Sequence, residues 1–335
     1  MKQDIETYFN QSKKERGNLI SIILPLFNEE ESLQFVLSEL FEYLKNVLPK
    51  YNFEITFIDD CSTDNSYAII EKAAFNTPSN IKLSVAQLSR NSGSHIAITA
   101  GLNISRGDFT IIMASDGQDP PEVISTLIKE WENDHELVIA SRADNLDHGV
   151  ISKFLSKLAW QIMNWSTEIN MPESGCDLLG MDRIVLNAFN QMDERNTTFI
   201  FRIFSLGFKQ KEIQYVKRAR VGGKSKWTFI KKFAIMIDAI TGFSNRPLKL
   251  ITNLGLFVFI ILCFRWLFVV FTIYIMHQTP TELSIILNVI FTALALQVLI
   301  LGVIGDYIWR ILDETRKRPV YEIRKVNGNI FDLKK

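Results

Sequence analysis

Apolar residues follow two alternating rhythms along the first 140 positions. Leu19 to Leu24 is a short β-branched run that closes at Pro25 and predicts a strand. Leu33, Val36, Leu37, Leu40 and Leu44 then recur at helical spacing and predict a helix from Glu29 to Leu48. The pair repeats: Phe53 to Ile58, Ile81 to Leu88, Phe109 to Met113 and Leu137 to Ala140 read as strands, with helices over Asp64 to Phe75, Ser94 to Asn103 and Pro121 to Asn133 between them. This order predicts an α/β fold, a Rossmann-like, mostly parallel sheet with helices on both faces. Such sheets bind ligands beyond the carboxyl ends of their strands. The polar clusters fall there: Asn28-Glu29-Glu30, Asp59-Asp60, Ser89-Arg90-Asn91 and Asp116-Gly117-Gln118-Asp119.

The rhythm changes at residue 250. Leu250 to Met276 and Leu283 to Gly305 are apolar runs longer than the roughly 20 residues a helix needs to cross about 30 Å of hydrocarbon. Only Arg265 and Glu282 are charged between positions 250 and 305. The short connection, His277 to Glu282, holds no Lys or Arg, whereas both outer flanks are rich in them, so the positive-inside rule places both flanks in the cytoplasm. A buried helical hairpin in a soluble core is the alternative, but two adjacent runs of this length are unusual there. Arg265 sits near the middle of the first run. It fits either a partner in another subunit of a homo-oligomer or a side chain that snorkels along a tilted helix.

Charge sharpens the division. The 335-residue chain is 47% hydrophobic and its 37 basic and 37 acidic side chains cancel, yet residues 1 to 208 hold 17 basic against 29 acidic groups. Residues 209 to 249 reverse this with 11 against 2, and residues 306 to 335 hold 8 against 5. Zero net charge argues against a nucleic-acid partner, and the hydrophobic content excludes a disordered chain. Phe233, Ile237 and Ile240 recur at helical spacing within the basic stretch and predict an interfacial amphipathic helix on anionic membrane lipids, with a solvated basic face as the plainer reading. The expected organisation is a polar extension at 1–18, a soluble body at 19–228, a juxtamembrane helix at 229–249, a transmembrane hairpin at 250–305 with spans 250–276 and 283–305, and a basic cytoplasmic tail at 306–335. Met1 to Asn18 does not read as a signal peptide. Cys61, Cys176 and Cys263 lack metal-ligand spacing and read as free thiols.

Several carboxylates and an amide on one sheet edge suit a hard divalent cation, and Mg²⁺ or Mn²⁺ in turn suits a diphosphate. Asp116 and Gln118, two apart after a strand, are the candidate ligands, although the spacing alone fits a solvated turn as well. Ser62 or Asp64 could simply cap the helix that follows Asp59-Asp60. Neither G-x-G-x-x-G nor G-x-x-x-x-G-K-[ST] occurs, so neither dinucleotide nor P-loop chemistry is indicated.

Taken in order, Ser21 to Glu30, Phe57-Ile-Asp-Asp-Cys-Ser-Thr-Asp64, Leu88-Ser-Arg-Asn-Ser-Gly93 leading to Ala100-Gly101, and Asp116-Gly-Gln-Asp-Pro-Pro-Glu122 resemble the successive motifs of family 2 glycosyltransferases. Arg220-Val-Gly-Gly-Lys-Ser-Lys-Trp227, Phe243-Ser244 with Pro247-Leu248, and Gly302 to Arg310 through Arg318-Pro-Val-Tyr321 resemble the membrane-proximal signatures of the polyisoprenyl-phosphate branch of that family. The resemblance implies a GT-A type fold in residues 19–228 and an inverting, metal-assisted transfer of a sugar from a UDP- or GDP-sugar to undecaprenyl or dolichyl phosphate, for cell-envelope glycan synthesis. It assigns Pro25, Phe27, Glu29, Asp59, Asp60 and Arg90 to the donor nucleotide and Asp116 and Gln118 to Mg²⁺ or Mn²⁺. It assigns Arg142, Lys153, Arg220, Ser225 and Lys226 to the acceptor phosphate, and gives Asp116, Arg142 and Asp177 catalytic roles, with Asp177 as a positioning group or base.

Three departures stand out. Ala114 occupies the first position of the usual Asp-x-Asp, which leaves more of the load on Asp116 and Gln118. Cys61 replaces the glycine of the usual Asp-Asp-Gly-Ser turn, so that position is expected not to need a positive φ. The run Gly175 to Gly180 lacks an arginine found in some relatives. The missing aspartate keeps a second class open, a non-catalytic nucleotide-sugar-binding membrane sensor or scaffold. Transfer to a growing polysaccharide fits less well, because two spans are few for threading a polymer.

Overall fold

The computed structural model describes residues 17–143, 176–192, 198–218 and 319–327, with isolated helical positions between 264 and 315. The elements, in chain order, are β1 (Leu19–Leu26), α1 (Glu30–Val47), β2 (Asn52–Asp59), α2 (Ser66–Ala73), β3 (Ile81–Leu88), α3 (Ser94–Ile104), β4 (Phe109–Ile112), α4 (Glu122–Glu132) and β5 (Leu137–Arg142). They continue with β6 (Leu178–Asp182), α5 (Arg183–Gln191), α6 (Phe199–Ser205), β7 (Gln210–Tyr215) and β8 (Ile323–Asn327). A 3₁₀ turn, Ala74–Asn76, extends α2. Every element expected up to residue 140 is present, within about two residues at its ends.

The eight strands form one sheet in the order β7-β5-β6-β4-β1-β2-β3-β8. β1 pairs in parallel with β2 and β4, β2 with β3, and β5 with β7. β6 and β8 run against their neighbours, so the mostly parallel expectation holds with two reversed strands. The strand order turns back at β1, whose two partners are β2 and β4, and a crevice at such a reversal is where open α/β sheets receive ligands.

Both faces are covered because successive side chains on a strand point to opposite sides. Ile20, Ile22, Leu24 and Leu26 of β1 join Leu33, Val36, Leu37 and Leu40 of α1 and Ile124, Leu127 and Trp131 of α4 in one core layer. Ile23, Ile58, Ala97 and Ala100 form a layer on the opposite face, continued by Ile112, Ile139, Leu179, Val185 and Phe189 under α3, α5 and α6. Each fully buried Ile, Leu or Phe is worth about 1.5–3 kcal/mol relative to exposure. Trp131 stacks on Phe109 with ring centroids 5.0 Å apart, and its indole N–H donates to Asp182 at 2.6 Å. Gly101 has a packing reason: a Cβ there would lie 2.3 Å from Ile23 Cγ2, so α3 can sit this close to β1 only over a bare backbone.

Residues 229–249 and most of 250–305 lie outside the described residues, among which no helix is long and apolar enough to cross a membrane. The described positions of that stretch are helical. Of their apolar side chains, Phe264, Ile286, Ile290, Leu294, Leu301 and Ile304 are exposed, whereas Val289, Leu296 and Ile300 are half-buried.

Candidate functional site

Chain reversals at the ends of β1 and β2 are locked to one another. Asn28 adopts φ 50° and its amide donates to Ser62 Oγ at 2.9 Å, while its side-chain oxygen accepts the Thr63 amide at 2.8 Å. The Glu29 amide donates to Ser66 Oγ at 2.9 Å. Asp64 accepts from the Ser66 amide at 3.0 Å and the Glu30 amide at 3.2 Å, and Glu30 answers by accepting the Asn65 amide at 3.0 Å. Asp64 thus steadies two helix starts at once. Pro25, Phe27 and Glu29 are half-buried along this rim, and Arg90 stands exposed on the neighbouring loop after β3.

Asp59 and Asp60 lie at the end of β2 and both are buried. Asp59 accepts from the Ser62 amide at 3.0 Å and from Gln87 Nε2 at 2.7 Å. The two oxygens of Asp60 accept the backbone amides of Ser92 at 2.6 Å and Gly93 at 2.7 Å. Burial raises the Asp60 carboxyl above its ordinary pKa, against the opposing pull of those two amides. Gly93 supplies the left-handed turn, φ 93°, that aims both amides back at Asp60. These carboxylates therefore shape the rim as well as face it.

Cys61, between Asp60 and Ser62, sits at φ 62°. This overturns the expectation drawn from the glycine it replaces. The turn still demands a left-handed residue, and the cysteine accepts the strain.

The loop after β4 crosses the mouth of the crevice. Ser115 Oγ donates to the Pro25 carbonyl at 2.7 Å, and Ser32 Oγ donates to the Ser115 carbonyl at 3.2 Å, which ties the loop to β1 and α1. Asp116 is nearly buried and accepts the Gln118 amide at 3.1 Å. The Gln118 side-chain amide donates to the Arg218 carbonyl at 3.4 Å, and the Arg218 amide donates to the Gln118 carbonyl at 2.9 Å. Arg218 also pairs with Glu39 on α1 and, at 3.2 Å, with Glu122 on α4. Donation by its NH₂ leaves the oxygen end of Gln118 suited to a cation. Among the described residues no three His, Cys, Asp or Glu side chains form a metal-binding group. A single carboxylate plus an amide nevertheless fits Mg²⁺ or Mn²⁺, which commonly takes one or two protein carboxylates and fills its shell with substrate phosphates and water.

A chain of charges continues the edge across β5, β6 and β7. Because β6 is antiparallel, it begins at the edge where β5 and β7 end, and the amide of Asp177 donates to the Ala140 carbonyl at 3.1 Å. Arg142, directly across from Tyr215 in the β5–β7 register, donates Nε and Nη2 to the two oxygens of Asp177, both at 3.0 Å. Lys217 bridges Asp177 at 3.2 Å and Asp119 at 3.3 Å, and Tyr215 donates its hydroxyl to Asp119 at 2.6 Å. Burial pushes the Asp177 carboxyl up, but the Arg142 guanidinium and the Lys217 ammonium outweigh it and hold it below the usual range. Asp119 goes the other way: burial raises it, and Lys217 and Tyr215 only partly compensate. Burial and the Asp119 carboxylate push the Tyr215 phenol well up, so it stays a donor.

The structure therefore brings together Pro25, Phe27, Glu29, Asp59, Asp60, Arg90, Asp116, Gln118, Arg142 and Asp177 on one edge of the sheet. Lys153, Arg220, Ser225 and Lys226 lie outside the described residues. Sequence reasoning missed Asp119, Tyr215, Lys217 and Arg218 as individual site residues. Asp119 stood inside a recognised motif, whereas Lys217 and Arg218 were submerged in a basic stretch whose bulk charge was the visible signal.

An α/β sheet with carboxylates, an amide and cations gathered at the strand ends beside a reversal in strand order has the arrangement of an open α/β protein that receives its ligand at that edge. Residues 21–177 match glycosyl transferase family 2. The chain is 33% identical to the uncharacterized glycosyltransferase YkcC of Bacillus subtilis over 92% of its own length and 94% of that protein's. It is 31% identical to the undecaprenyl-phosphate 4-deoxy-4-formamido-L-arabinose transferase of Proteus mirabilis, over 94% of this chain and 95% of that one. A prophage bactoprenol glucosyl transferase homolog of Escherichia coli is 32% identical over 92% of this chain and 99% of its own. The chain belongs to glycosyl transferase family 2.

Proposed function

We propose that this glycosyltransferase is a membrane-bound inverting enzyme that moves a sugar from a UDP- or GDP-sugar to polyprenyl phosphate. The observation that carries the reading is the junction of two kinds of group on one edge: Asp116 and Gln118, suited to a cation on a diphosphate, next to Arg142 and Lys217, suited to an acceptor phosphate. Relatives named for undecaprenyl phosphate and bactoprenol, matched over more than nine-tenths of this chain, support the lipid acceptor.

The nucleoside half of the donor lies along Pro25, Phe27 and Glu29 and the rim that Asp59, Asp60 and Arg90 complete. Asp116 and Gln118 would hold Mg²⁺ or Mn²⁺, which when bound would supply Lewis-acid stabilisation of the departing diphosphate. Arg142 offers the planar fork that grips phosphate oxygens, and Lys153, Arg220, Ser225 and Lys226 are the further groups assigned to the acceptor phosphate. An acceptor phosphate is already anionic near neutral pH, so the nucleophile needs orientation more than deprotonation. Asp177 suits that need: ionised and shared between Arg142 and Lys217, it holds both cations in place instead of serving as a base. Exposed apolar side chains at helical positions 286 to 308 favour a lipid environment for the hairpin.

The test is a product assay. Purified protein with Mg²⁺ or Mn²⁺, undecaprenyl phosphate and a panel of UDP- and GDP-sugars should yield one glycolipid, identified by mass. Asp116→Ala should lower its formation at least about a hundredfold, since metal stabilisation of a leaving diphosphate is worth several kcal/mol. No glycolipid from any donor overturns the proposal.

A further inference from the structure

Residues 319–327 come after the apolar block in sequence, yet they close the edge of the sheet beside the donor rim. β8 pairs antiparallel with β3, with Val326 opposite Ala86, Lys325 opposite Gln87 and Ile323 opposite Leu88, and the register shifts between Gln87 and Leu88. The contact does not stop with the strand. The Ser89 amide donates to the Glu322 carbonyl at 2.9 Å, which pins the first residue of the loop whose Ser92 and Gly93 amides hold Asp60. Gln87, at the shift, is the residue that donates to Asp59.

Both helices beside this rim are tied to the same segment. Tyr321 and Ile323 pack on Ile23, Ile58, Leu88, Ala97 and Ala100, and Asn103 on α3 donates to the Tyr321 hydroxyl at 2.9 Å. Asn327 donates to Glu71 on α2 at 2.8 Å, and the Lys325 ammonium lies 5.7 Å from the Tyr67 ring centroid. A strand that only blunted an open edge would need the ladder and its charged side chains alone. The contacts at Ser89 and Asn103 reach past the ladder, to the loop and the helix that present the two amides to Asp60.

We propose that Tyr321 to Asn327 is a positioning strap for the donor nucleotide. By fixing Ser89, and by holding α3 through Ala97, Ala100 and, near its far end, Asn103, it sets both flanks of the Ser89–Gly93 loop, and through that loop the placement of Asp60. The end of the chain that leaves the apolar block thereby controls affinity for a nucleoside diphosphate. This rests on the donor reading of the β2–β3 edge given above.

The full-length protein in detergent separates the two ideas. Ile323→Asp unseats the strap from its apolar layer, Tyr321→Phe removes only the hydroxyl that Asn103 meets, and Ile323→Val is the conservative control. Binding of UDP and of GDP is measured by calorimetry, melting by scanning calorimetry, and exchange of the Ser92 and Gly93 amides by mass spectrometry. Ile323→Asp should weaken nucleotide binding about tenfold, the worth of one hydrogen bond to a charged group, and speed exchange at Ser92 and Gly93. Tyr321→Phe should move both readouts the same way by less, and Ile323→Val should restore wild-type values. Unchanged exchange at those amides in both Ile323→Asp and Tyr321→Phe overturns the strap, as does a lowered melting midpoint with nucleotide affinity intact. Wild-type protein that binds neither UDP nor GDP overturns the donor reading instead, and the exchange measurement then still decides whether the strap holds the loop.

Discussion

Cys61 occupies a left-handed backbone position, φ 62°, between two residues whose contacts fix the rim: Asp60 to the Ser92 and Gly93 amides, Ser62 to the Asn28 amide. A side chain there costs about 1–2 kcal/mol, while a glycine gives back about 0.4–1 kcal/mol through the freedom of the unfolded chain. Cys61→Gly should therefore stabilise the protein by up to about 1 kcal/mol, read as a higher urea midpoint at unchanged slope. A second residue-scale consequence concerns pH. The Asp177 carboxyl is depressed in the folded state, net of burial, by Arg142 and Lys217. Its contribution to stability is then fully present above the ordinary carboxylate value of about 4, and is lost as pH falls through the depressed folded pKa. Asp119, raised by burial, has the opposite sign: its contribution is present at low pH and is lost as pH rises through its raised pKa. Denaturation midpoints measured from pH 7 to pH 2 should fall less steeply below pH 4 for Asp177→Asn than for wild type. In Asp119→Asn the fall between pH 4 and pH 6 should not be shallower than in wild type.

At the scale of elements, the β1-to-β5 half was legible because its strands are buried on both faces and its helices on one. Ile20 to Leu26 gave an apolar run broken only at Ser21, Ile81, Leu83 and Val85 gave an apolar alternation closing at Leu88, and α1 gave a clean helical stripe. The second half gave no such signal. β7, Gln210–Tyr215, is exposed at most positions, and β8, Ile323–Asn327, is a charged edge strand, so neither alternates strongly. β6 holds Gly180, a residue that weakens a strand pattern. Its reason is tertiary: a Cβ there would fall 2.3 Å from the Phe109 ring. The candidate site divides the same way. Residue types clustered at strand ends announced the edge, because topology alone carries every parallel strand end to one side. Which groups meet depends on the reversed strand β6, which delivers Asp177 to Arg142, and on β7, which brings Tyr215 and Lys217 to Asp119. Neither direction can be read from local periodicity. The positive φ at Cys61 was hidden for a related reason, since a turn's dihedral is set by the contacts on both of its flanks.

For the molecule as a whole, the cancelling charges are a matter of placement. Residues 1 to 208, net −12, would be repelled by an anionic leaflet, and residues 209 to 249, net +9, are the segment able to reverse that repulsion. Each Lys or Arg near such a surface contributes about 1 kcal/mol, and the attraction fades over about 8–10 Å at physiological salt. Charge alone would therefore give a protein that high salt removes. Insertion of the apolar block of residues 250 to 305, with its two charged side chains, would add a term that salt does not screen. The two contributions separate in one experiment on sealed inner-membrane vesicles of known orientation. If the hairpin spans the bilayer with both flanks cytoplasmic, the protein stays with the membrane after high-salt and alkaline washes. A cysteine placed at Thr279, in the connection between the spans, then reacts with an impermeant maleimide from the side opposite the catalytic body. Cys61, half-exposed on that body, reacts only from the cytoplasmic side. Release by salt, or labelling of both positions from one side, overturns the two-span arrangement and leaves the basic segment as the sole attachment.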